Sequence, residues 1–358
     1  MSDAPVPPAP IAPVPEPPPD AAVPAPASAS TGPAPLVAVL GEPALAVPGA
    51  VRALLDLGFR VRVLCADEME DLAALSARPA THTGTGGVQP PTSGTTPEGA
   101  RGVLEIVRGT PDTPKDLEKL CAGAAGLALL CPVNLNGRAW RPNTHVEDVK
   151  NGLAAAEAAQ VKRVAYLSTL CANHESKVRC LREAGQAEKL IEKAHAKPYV
   201  FRAGPLAGRH DGLLSLLADE ANDGRPWMWV WGYGGTLVQP IAPLDAGRCL
   251  ARAFVEAAPG LQPGVYGVAG AEIVTLLELA DRVLERKGRF KVKLHIPLFV
   301  LRLAKLAAGN NGKAGFGERV GLLFENFATD HNDAPLLLGP HAKLKDLQAL
   351  QDEVLGTV

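Results

Sequence analysis

The glycine that follows the first apolar run of the chain has the position of a phosphate-binding residue. The run LVAVL (36–40) predicts a buried strand, and Gly41 comes directly after it. A dinucleotide needs small residues at such a turn, because its pyrophosphate approaches the backbone where the next helix begins. Ala44 and Val47 occupy the two later positions of a G-x-x-G-x-x-G pattern. We therefore expect the turn to bind phosphate weakly, and a turn without a ligand is the preferred interpretation.

An acid at the end of the second predicted strand could contact the ribose of the same cofactor. Asp67 lies about 20 residues after the turn, where a carboxylate can accept a hydrogen bond from the 2′-hydroxyl. It also begins the acidic run DEMED (67–71), which is more typical of a solvated helix start. Glu42 adds an anion near the expected phosphates, and Pro43 removes a backbone donor. These neighbours oppose tight binding.

The composition excludes several other kinds of site. The six cysteines form no C-x-x-C pair and have no histidine at metal-ligand spacing, so we expect no metal site and reduced core thiols in a non-oxidising compartment. The formal net charge of −2 gives no basic field that would attract nucleic acid. No apolar run reaches the roughly 18 residues that span a bilayer. The cysteines are Cys65, Cys121, Cys131, Cys171, Cys180 and Cys249.

Alternating strand and helix patterns position these residues. Short apolar runs predict strands at 36–40, 59–65, 103–107, 126–131, 162–168 and 198–202. Helical periodicity predicts the helices between them at 48–57, 114–123, 144–158 and 177–195. Strands and helices that alternate in this way form a doubly wound parallel sheet. The predicted fold class is therefore α/β of the Rossmann type.

Three parts of the chain differ in composition. Residues 1–35 contain thirteen prolines, three acids and no Lys or Arg, which predicts a disordered arm and is not typical of a mitochondrial transit peptide. Residues 36–210 hold the predicted dinucleotide-binding-type domain, with a Thr-, Gly- and Pro-rich inserted loop at 78–102. Residues 211–358 are expected to form a smaller, mainly helical lobe and tail that face a partner or a membrane. The helices predicted there are 212–221, 244–257, 273–287 and 297–308.

The segment VKRVAYLSTLCANHESKVRCLREAGQAEKLI (161–191) resembles the extended, atypical branch of the short-chain dehydrogenase/reductases. Active members carry a Ser at the end of the fifth strand and a Tyr-x-x-x-Lys pair on one face of the next helix, where Tyr transfers a proton and Lys lowers its pKa. The resemblance places Ser168 or Thr169 at the Ser position. Cys180 falls at the Tyr and Ala184 at the Lys. It therefore implies that hydride transfer is lost, and no catalytic residue is predicted.

Three short patterns narrow this resemblance. Residues 168–173 read S-x-L-x-A-N, and R-x-L-R (179–182) and E-K (188–189) follow. They resemble the alpha-subcomplex subunit 9 family of accessory subunits of mitochondrial respiratory complex I. Weaker similarity extends to VQPIAPLDAGRCLARAF (238–254) and HIPLFVLRLAKLA (295–307). The resemblance implies a place on the matrix side of the mitochondrial inner membrane, among the complex I subunits where the peripheral and membrane arms meet.

The same family binds NADP(H), so the resemblance also implies this cofactor. The Arg that would hold its 2′-phosphate after the second strand corresponds to Ala66 in this sequence. The turn at 41–47 is degenerate, and Asp67 and Ser168 are the remaining polar candidates for the site. NADP(H) is the cofactor expected from the family, and a chain without any cofactor stays an open alternative.

Two segments in the C-terminal part could contact a partner. RPWMWVW (225–231) is either an exposed patch that binds a partner or lipid head groups, or a set of buried tryptophans. KGRFKVKLHIPLFVLRLAKLAAGNNGK (287–313) places basic residues before and within an apolar helix, which suits an interfacial helix lying on a membrane or a hydrophobic partner. A core helix with basic flanks is the alternative, and the family resemblance favours the interfacial helix.

The leading hypothesis is a non-catalytic structural accessory subunit of mitochondrial respiratory complex I that stabilises the junction of its two arms. An active NAD(P)-dependent reductase or epimerase with a relocated acid/base is one alternative. A soluble assembly or stability factor of the same fold is another. Nucleic acid is not expected as a partner.

Overall fold

The computed structural model describes the chain in separate stretches. These are residues 34–41, 46–66, 102–130, 144–208, 213–231, 234–255, 261–297, 299–300, 321–322, 325–339 and 342–355. Nearly all of the predicted arm (1–35) and of the predicted inserted loop (78–102) lies outside the described residues. Both therefore stay predictions.

Parallel strands make up the centre of the molecule. The strands of the described residues are β1 (Leu36–Gly41), β2 (Arg60–Cys65), β3 (Leu104–Arg108), β4 (Gly126–Leu130), β5 (Arg163–Thr169), β6 (Lys197–Ala203), β7 (Trp227–Trp231), β8 (Leu237–Val238), β9 (Gly264–Val268), β10 (Val274–Thr275) and β11 (Val292–Ile296). Seven of them form one sheet in the order β3-β2-β1-β4-β5-β6-β9. All neighbouring pairs in it are parallel. The predicted doubly wound α/β sheet is confirmed.

Helices cover both faces of this sheet. They are α1 (Ala46–Asp56), α2 (Pro114–Cys121), α3 (His145–Ala158), α4 (Arg179–Glu192), α5 (Leu213–Asn222), α6 (Pro243–Ala251), α7 (Leu276–Arg286), α8 (Ala334–Leu338) and α9 (Leu347–Leu355). Helices α1 and α6 pack together on one face, and α2, α3 and α4 lie side by side on the other. The helix predicted over 244–257 is too long, because α6 passes into a 3₁₀ turn at Arg252–Phe254 and Val255 is extended.

Consecutive residues of the central strands enter two different cores. In β1, Val37 and Val39 face α1 and α6, whereas Leu36, Ala38 and Leu40 face α2, α3 and α4. Because helices cover both faces, the strand is apolar at every position instead of alternating with polar residues. Burial of each Val or Leu side chain contributes roughly 1.5–3 kcal/mol. This double burial is what made the strand recognisable in the sequence.

Two glycines allow α1 and α6 to approach closely. A Cβ on Gly49 would lie 2.3 Å from the carbonyl oxygen of Pro243, and a Cβ on Gly247 would lie 2.5 Å from the carbonyl oxygen of Gly49. Both distances are shorter than atoms can approach without displacement. The backbones of the two helices are therefore in direct contact, and a side chain at either position would force them apart.

The C-terminal part contributes strands that were not predicted from the sequence. Strand β9 pairs with β6 and completes the central sheet, so the sheet contains residues from both sides of the boundary predicted at 210/211. Strands β8 and β10 form an antiparallel pair, and β7 and β11 form a parallel pair. Apolar residues of α5, α7 and α9 form a further core beneath them, together with Met228 of β7.

The tryptophan-rich segment and the basic apolar segment lie side by side as β7 and β11. In β7 the side chains alternate, with Met228 and Val230 buried and Trp229 exposed. The segment is thus neither a wholly exposed patch nor a wholly buried one. Residues 301–308 of the predicted interfacial helix (297–308) lie outside the described residues, and its interfacial role stays a prediction.

Three findings concern the chemistry expected from the composition. The five described cysteines are buried and form no disulfide with one another, and Cys131 lies outside the described residues. Across the described stretches, no three His, Cys, Asp or Glu side chains are grouped so that they could hold a metal ion. No helix in the part of the chain that the structure describes is long and apolar enough to cross a membrane.

Candidate functional site

The carboxyl ends of β1 and β4 flank the point where the strand order reverses. Doubly wound sheets bind their ligands in the crevice at this point. Gly41 is the last residue of β1 and pairs with Leu130 of β4. A Cβ on Gly41 would lie 2.8 Å from the Leu130 Cβ, which is too close for two real side chains. Packing against β4 therefore already requires glycine here, whether or not a phosphate approaches.

The other described residues predicted at the turn and after β2 are apolar. Val47 lies in the first turn of α1, is 1% exposed and belongs to the core beneath that helix. Ala66 is exposed immediately after β2. Gly41, Val47 and Ala66 do not fit NADP(H) through their side chains, because none can pair with or donate to a phosphate. Ala44 and Asp67 lie outside the described residues, so the weak phosphate-binding turn stays a prediction.

Ser168, the last predicted cofactor residue, belongs to a buried ionic network. Its Oγ donates to Glu188 Oε1 at 2.6 Å. Arg202 Nη2 donates to Glu188 Oε2 at 2.8 Å, and Arg202 Nε lies 3.1 Å and 3.3 Å from the two carboxylate oxygens. Ser168, Glu188 and Arg202 are 4%, 3% and 7% exposed. The hydroxyl predicted to face a cofactor instead faces helix α4.

This network joins two strands and a helix. Ser168 and Arg202 are neighbours in the register of β5 and β6, and Glu188 reaches them from the third turn of α4. Charges removed from water are tolerated only when they are paired and hydrogen-bonded, and the loss of one partner typically costs about 3–5 kcal/mol. We conclude that the network has a structural role, which is to link β5, β6 and α4. The sequence signals that could have revealed it are an Arg inside the apolar run YVFRA (199–203) and a Glu on the buried face of α4.

The two positions that carry Tyr and Lys in the resembled family are buried in this chain. Cys180 and Ala184 lie in the first two turns of α4, one helical turn apart and on the same face. They are 4% and 0% exposed. The loop before α4 closes over the helix, since Asn173 N donates to Leu181 O at 3.1 Å and a Cβ on Gly185 would lie 2.2 Å from His174 N. The loop therefore packs on α4 at Leu181 and Gly185, next to these two buried positions.

Backbone segments cover the carboxyl ends of β5, β6 and β9. Leu170 N donates to Ala203 O at 3.0 Å, and Gly204 N donates to Val268 O at 2.8 Å. The carbonyl oxygen of Gln239 lies 2.3 Å from where a Gly204 Cβ would be. The Gln239 side chain donates to Gly270 O at 2.8 Å. This end of the sheet is closely packed with main chain.

A buried thiol lies beside the network. Cys171 is 7% exposed, and its Sγ lies 3.1 Å from Asn326 O. Burial raises the pKa of the Cys171 thiol, and the Glu325 carboxylate raises it further. Only a thiolate is a good nucleophile. Cys171 therefore stays protonated at neutral pH and packs as a small apolar residue.

A second buried polar pair lies on the α2–α4 face of the sheet. His145 Nε2 and Tyr166 Oη are 2.7 Å apart, and the two rings stack. Burial lowers the pKa of His145 to about 4, so the imidazole is neutral at physiological pH. Tyr166 is 0% exposed. The pair satisfies two buried polar groups and does not present an acid or base to a ligand.

Comparison with solved structures agrees with the architecture described above, whereas no family model matches the chain. The chain is similar to an NADPH-dependent quinone oxidoreductase from Escherichia coli complexed with NADPH, with 17% identity, a TM-score of 0.62, and coverage of 88% of this chain and 98% of the other. It is similar to the Citrobacter sp. triphenylmethane reductase complexed with NADP(H), with 16% identity, a TM-score of 0.60, and coverage of 89% and 99%. It is also similar to a UDP-glucose 4-epimerase from Thermotoga maritima, with 13% identity, a TM-score of 0.61, and coverage of 89% and 97%.

These similarities extend over nearly the whole length of each protein. At such low identity they concern the fold alone, because one fold supports many functions. The chain has a Rossmann-type fold, which it shares with these proteins. What the chain does must be argued from its own residues.

Proposed function

We propose that this chain is a non-catalytic structural protein that uses the Rossmann-type fold to hold a partner, as an accessory subunit of mitochondrial respiratory complex I. The observation that carries the proposal is the chemistry at the start of α4. Where a reductase of this fold needs a proton donor and a cation, the chain has Cys180 and Ala184, both buried. The nearby Ser168 hydroxyl is already bound to Glu188.

General acid catalysis requires a group that can reach the substrate and exchange a proton near neutral pH. Three buried groups of this kind near β5 are Cys171, His145 and Tyr166. Burial raises the pKa of Cys171 and lowers that of His145 to about 4, which moves both away from neutrality. Tyr166 is fully buried against His145. None of the three has the properties of a proton donor to a bound ligand.

An exposed apolar surface supports a partner-binding role. On the outer face of the β7–β11 pair, Trp229 and Leu294 are both 38% exposed and Val292 is 55% exposed. Phe290, just before β11, is 91% exposed and Phe299 is 64% exposed. Solitary exposed apolar residues are common, but adjacent aromatic and aliphatic side chains mark interaction sites. We name these five residues the β7–β11 apolar surface.

Ion pairs hold this surface rigidly on the rest of the molecule. Lys291, immediately before β11, is 6% exposed; its ammonium group bonds the Asp223 carboxylate and donates to Glu220 O at 2.6 Å. Arg225, just before β7, pairs with both Glu220 and Asp223. The two cations keep the pKa of the Asp223 carboxyl below its usual range, so the pairs persist in weak acid. A rigid surface loses little conformational entropy on binding.

The choice of complex I rests on the sequence resemblance alone. The patterns S-x-L-x-A-N (168–173), R-x-L-R (179–182) and E-K (188–189) support it. The same resemblance supports the matrix side of the mitochondrial inner membrane as the location, the neighbouring subunits or lipid head groups as partners, and NADP(H) as a family cofactor. We propose that the β7–β11 apolar surface faces one of those subunits.

Purification of native complex I from the source cells tests this function. We expect the chain to co-migrate with the complex on blue-native gels and to remain stoichiometric through purification. Trp229→Glu should release it, because a charge in an apolar interface is costly to bury. The matched control Leu336→Glu changes an exposed residue of α8, remote from the surface, and should co-migrate normally. Absence from the purified complex would refute the proposal, and a transient, substoichiometric association would favour the assembly factor.

A second candidate function is an NAD(P)-dependent reductase or epimerase with a relocated acid/base. The comparisons favour it, because similar structures covering nearly the whole chain are described as NADPH-dependent or NADP(H)-complexed reductases and as an epimerase. Calorimetric titration with NADPH and NADH, followed by turnover assays with quinones and sugar nucleotides, distinguishes it. Saturable cofactor binding with turnover would replace our first proposal. A flat titration would eliminate this candidate.

A further inference from the structure

A cavity of about 220 Å³ opens at the amino ends of β5, β6 and β9, opposite the edge where ligands of this fold bind. Its lining includes Arg163, Lys197, Tyr199, Arg252 and Gln262. Pockets for drug-sized ligands occupy roughly 300–1,000 Å³. This cavity therefore suits a smaller group.

The charge of the cavity is of one sign. Three cations, Arg163, Lys197 and Arg252, contribute to the lining, and none of the described lining residues is acidic. In the described part of the chain, no carboxylate forms an ion pair with any of the three, whereas Arg60 and Arg62 near the amino end of β2 share Glu105. Uncompensated cations that line one concave site create a positive potential that attracts anions.

The arrangement of two of these cations is unfavourable without a ligand. Arg163 and Lys197 begin adjacent strands and are direct partners in the β5–β6 register. Like charges placed directly opposite one another destabilise a sheet. Arg163 is also fixed in position, because its Nη1 donates to Ala253 O at 2.8 Å and to Val255 O at 3.3 Å. These two bonds use one nitrogen and leave the rest of the guanidinium fork for a further acceptor.

A neutral hydrogen-bonding group adds to the lining. Tyr199 is 3% exposed and lies on the same face of β6 as Lys197. Its hydroxyl has no hydrogen-bond partner among the residues that the structure describes, whereas the nearby Tyr266 hydroxyl donates to Gln262 O at 2.5 Å. The hydroxyl is therefore a donor that a ligand in the cavity could bind.

We propose that this cavity binds a phosphate group. Arg presents a planar fork of donors that matches phosphate oxygens, Lys adds a point charge, and a hydroxyl completes the donor set. The group can belong to a soluble phosphate compound or to a phospholipid head group. The site is independent of the function proposed above, because none of its lining residues belongs to the β7–β11 apolar surface.

Calorimetric titration of the full chain with sodium pyrophosphate at low ionic strength tests the site. We expect one saturable site, about tenfold weaker in Lys197→Gln and in Arg252→Gln, because each removes a charge-assisted hydrogen bond. Lys193→Gln removes the same charge from the exposed end of α4 and should bind as the parent does. These variants spare Arg163, whose bonds to Ala253 and Val255 support the fold.

Sedimentation with vesicles distinguishes the two sources of the phosphate. We compare phosphatidylcholine vesicles with vesicles that also contain phosphatidic acid. Lipid as the source predicts co-sedimentation with phosphatidic acid that Lys197→Gln abolishes and Lys193→Gln preserves. A soluble source predicts pyrophosphate binding without this dependence. If neither probe binds, or if Lys193→Gln weakens binding as much as Lys197→Gln does, the proposal is wrong, because the attraction would be absent or diffuse.

Discussion

The two ends of the parallel strands in the central sheet place arginines in different surroundings: Arg202 is buried, whereas Arg163 is half-buried. At the carboxyl edge, Arg202 is held by the Glu188 carboxylate, which also accepts the Ser168 hydroxyl. At the amino edge, Arg163 bonds only carbonyl oxygens among the described residues and lines a cavity with two further cations. At the carboxyl ends of the strands, where this fold ordinarily binds ligands, the buried polar groups bind one another. At the amino ends, the cations that line the cavity have no carboxylate partner among the described residues.

The largest effect on stability is expected when the Glu188 carboxylate is removed from the carboxyl end of the sheet. Glu188→Ala leaves Arg202 buried without a counter-ion, and we expect the free energy of unfolding to fall by about 3–5 kcal/mol. Urea denaturation followed by circular dichroism measures it. Glu192→Ala, at the exposed end of the same helix, should change stability by less than about 0.5 kcal/mol. Equal free energies of unfolding for the two variants would show that the network does not stabilise the fold.

A fall in pH should destabilise the chain through His145. The cations at the amino ends of the strands stay charged over the same pH range. Because the pKa of His145 is lowered to about 4 in the folded chain, its stabilising contribution is complete above the unfolded pKa of about 6.5 and is lost as the pH falls through 4. We expect a loss of about 3 kcal/mol across this window. The difference in unfolding free energy between the parent chain and His145→Gln measures it. A difference that does not vary with pH would contradict the prediction.

A larger residue at the contact between α1 and α6 should destabilise the helix layer on that face of the central sheet. Gly49→Ala would place a Cβ 2.3 Å from Pro243 O, and we expect a loss of about 1–3 kcal/mol from the resulting displacement. Gly235→Ala is the control, because nothing lies within 4 Å of its added Cβ. Thermal unfolding compares the two. An unchanged midpoint for Gly49→Ala would mean that the helices can separate at no cost.

The smallest effect is expected at the amino edge itself. Lys197→Gln removes the cation opposite Arg163 and should stabilise the chain by about 0.2–1 kcal/mol in phosphate-free buffer. In pyrophosphate the order should reverse, because the parent chain gains stability from the bound ligand. Lys193→Gln should follow the parent in both buffers. A Lys197→Gln chain that is less stable in both would show that the lysine is structural.

Much of the fold followed from the sequence because its signals are local. The run LVAVL (36–40) is apolar at every position, since both faces of β1 are buried, and this predicted a parallel strand. Strand β9 (Gly264–Val268) was missed, because GVYGV is short and contains two glycines. Strand β11 was passed over as a flank to a helix, although VKLHI (292–296) alternates with the period of a half-exposed strand.

The candidate site was harder to predict, because its interactions join distant positions. Ser168 was placed correctly at the end of β5, but its partners Glu188 and Arg202 lie on a helix and on another strand. Nothing in their spacing indicates that they meet. The cationic cavity is a stronger example, since the register of β5 and β6 brings Arg163 and Lys197 together and Arg252 comes from the 3₁₀ turn after α6. Helix and strand periodicities do not encode such a meeting.

The parallel pairing of β7 with β11 also has a consequence for how the molecule folds. Parallel neighbours need a crossover, and here the crossover contains α6, β9 and α7. Closing so long a loop costs entropy before the pairing contributes any stability. The same crossover contains β9 of the central sheet, so the β7–β11 apolar surface and the central sheet depend on the same segment of chain. A chain in which this crossover has not closed lacks the surface, so a partner that recognises the surface selects against such chains.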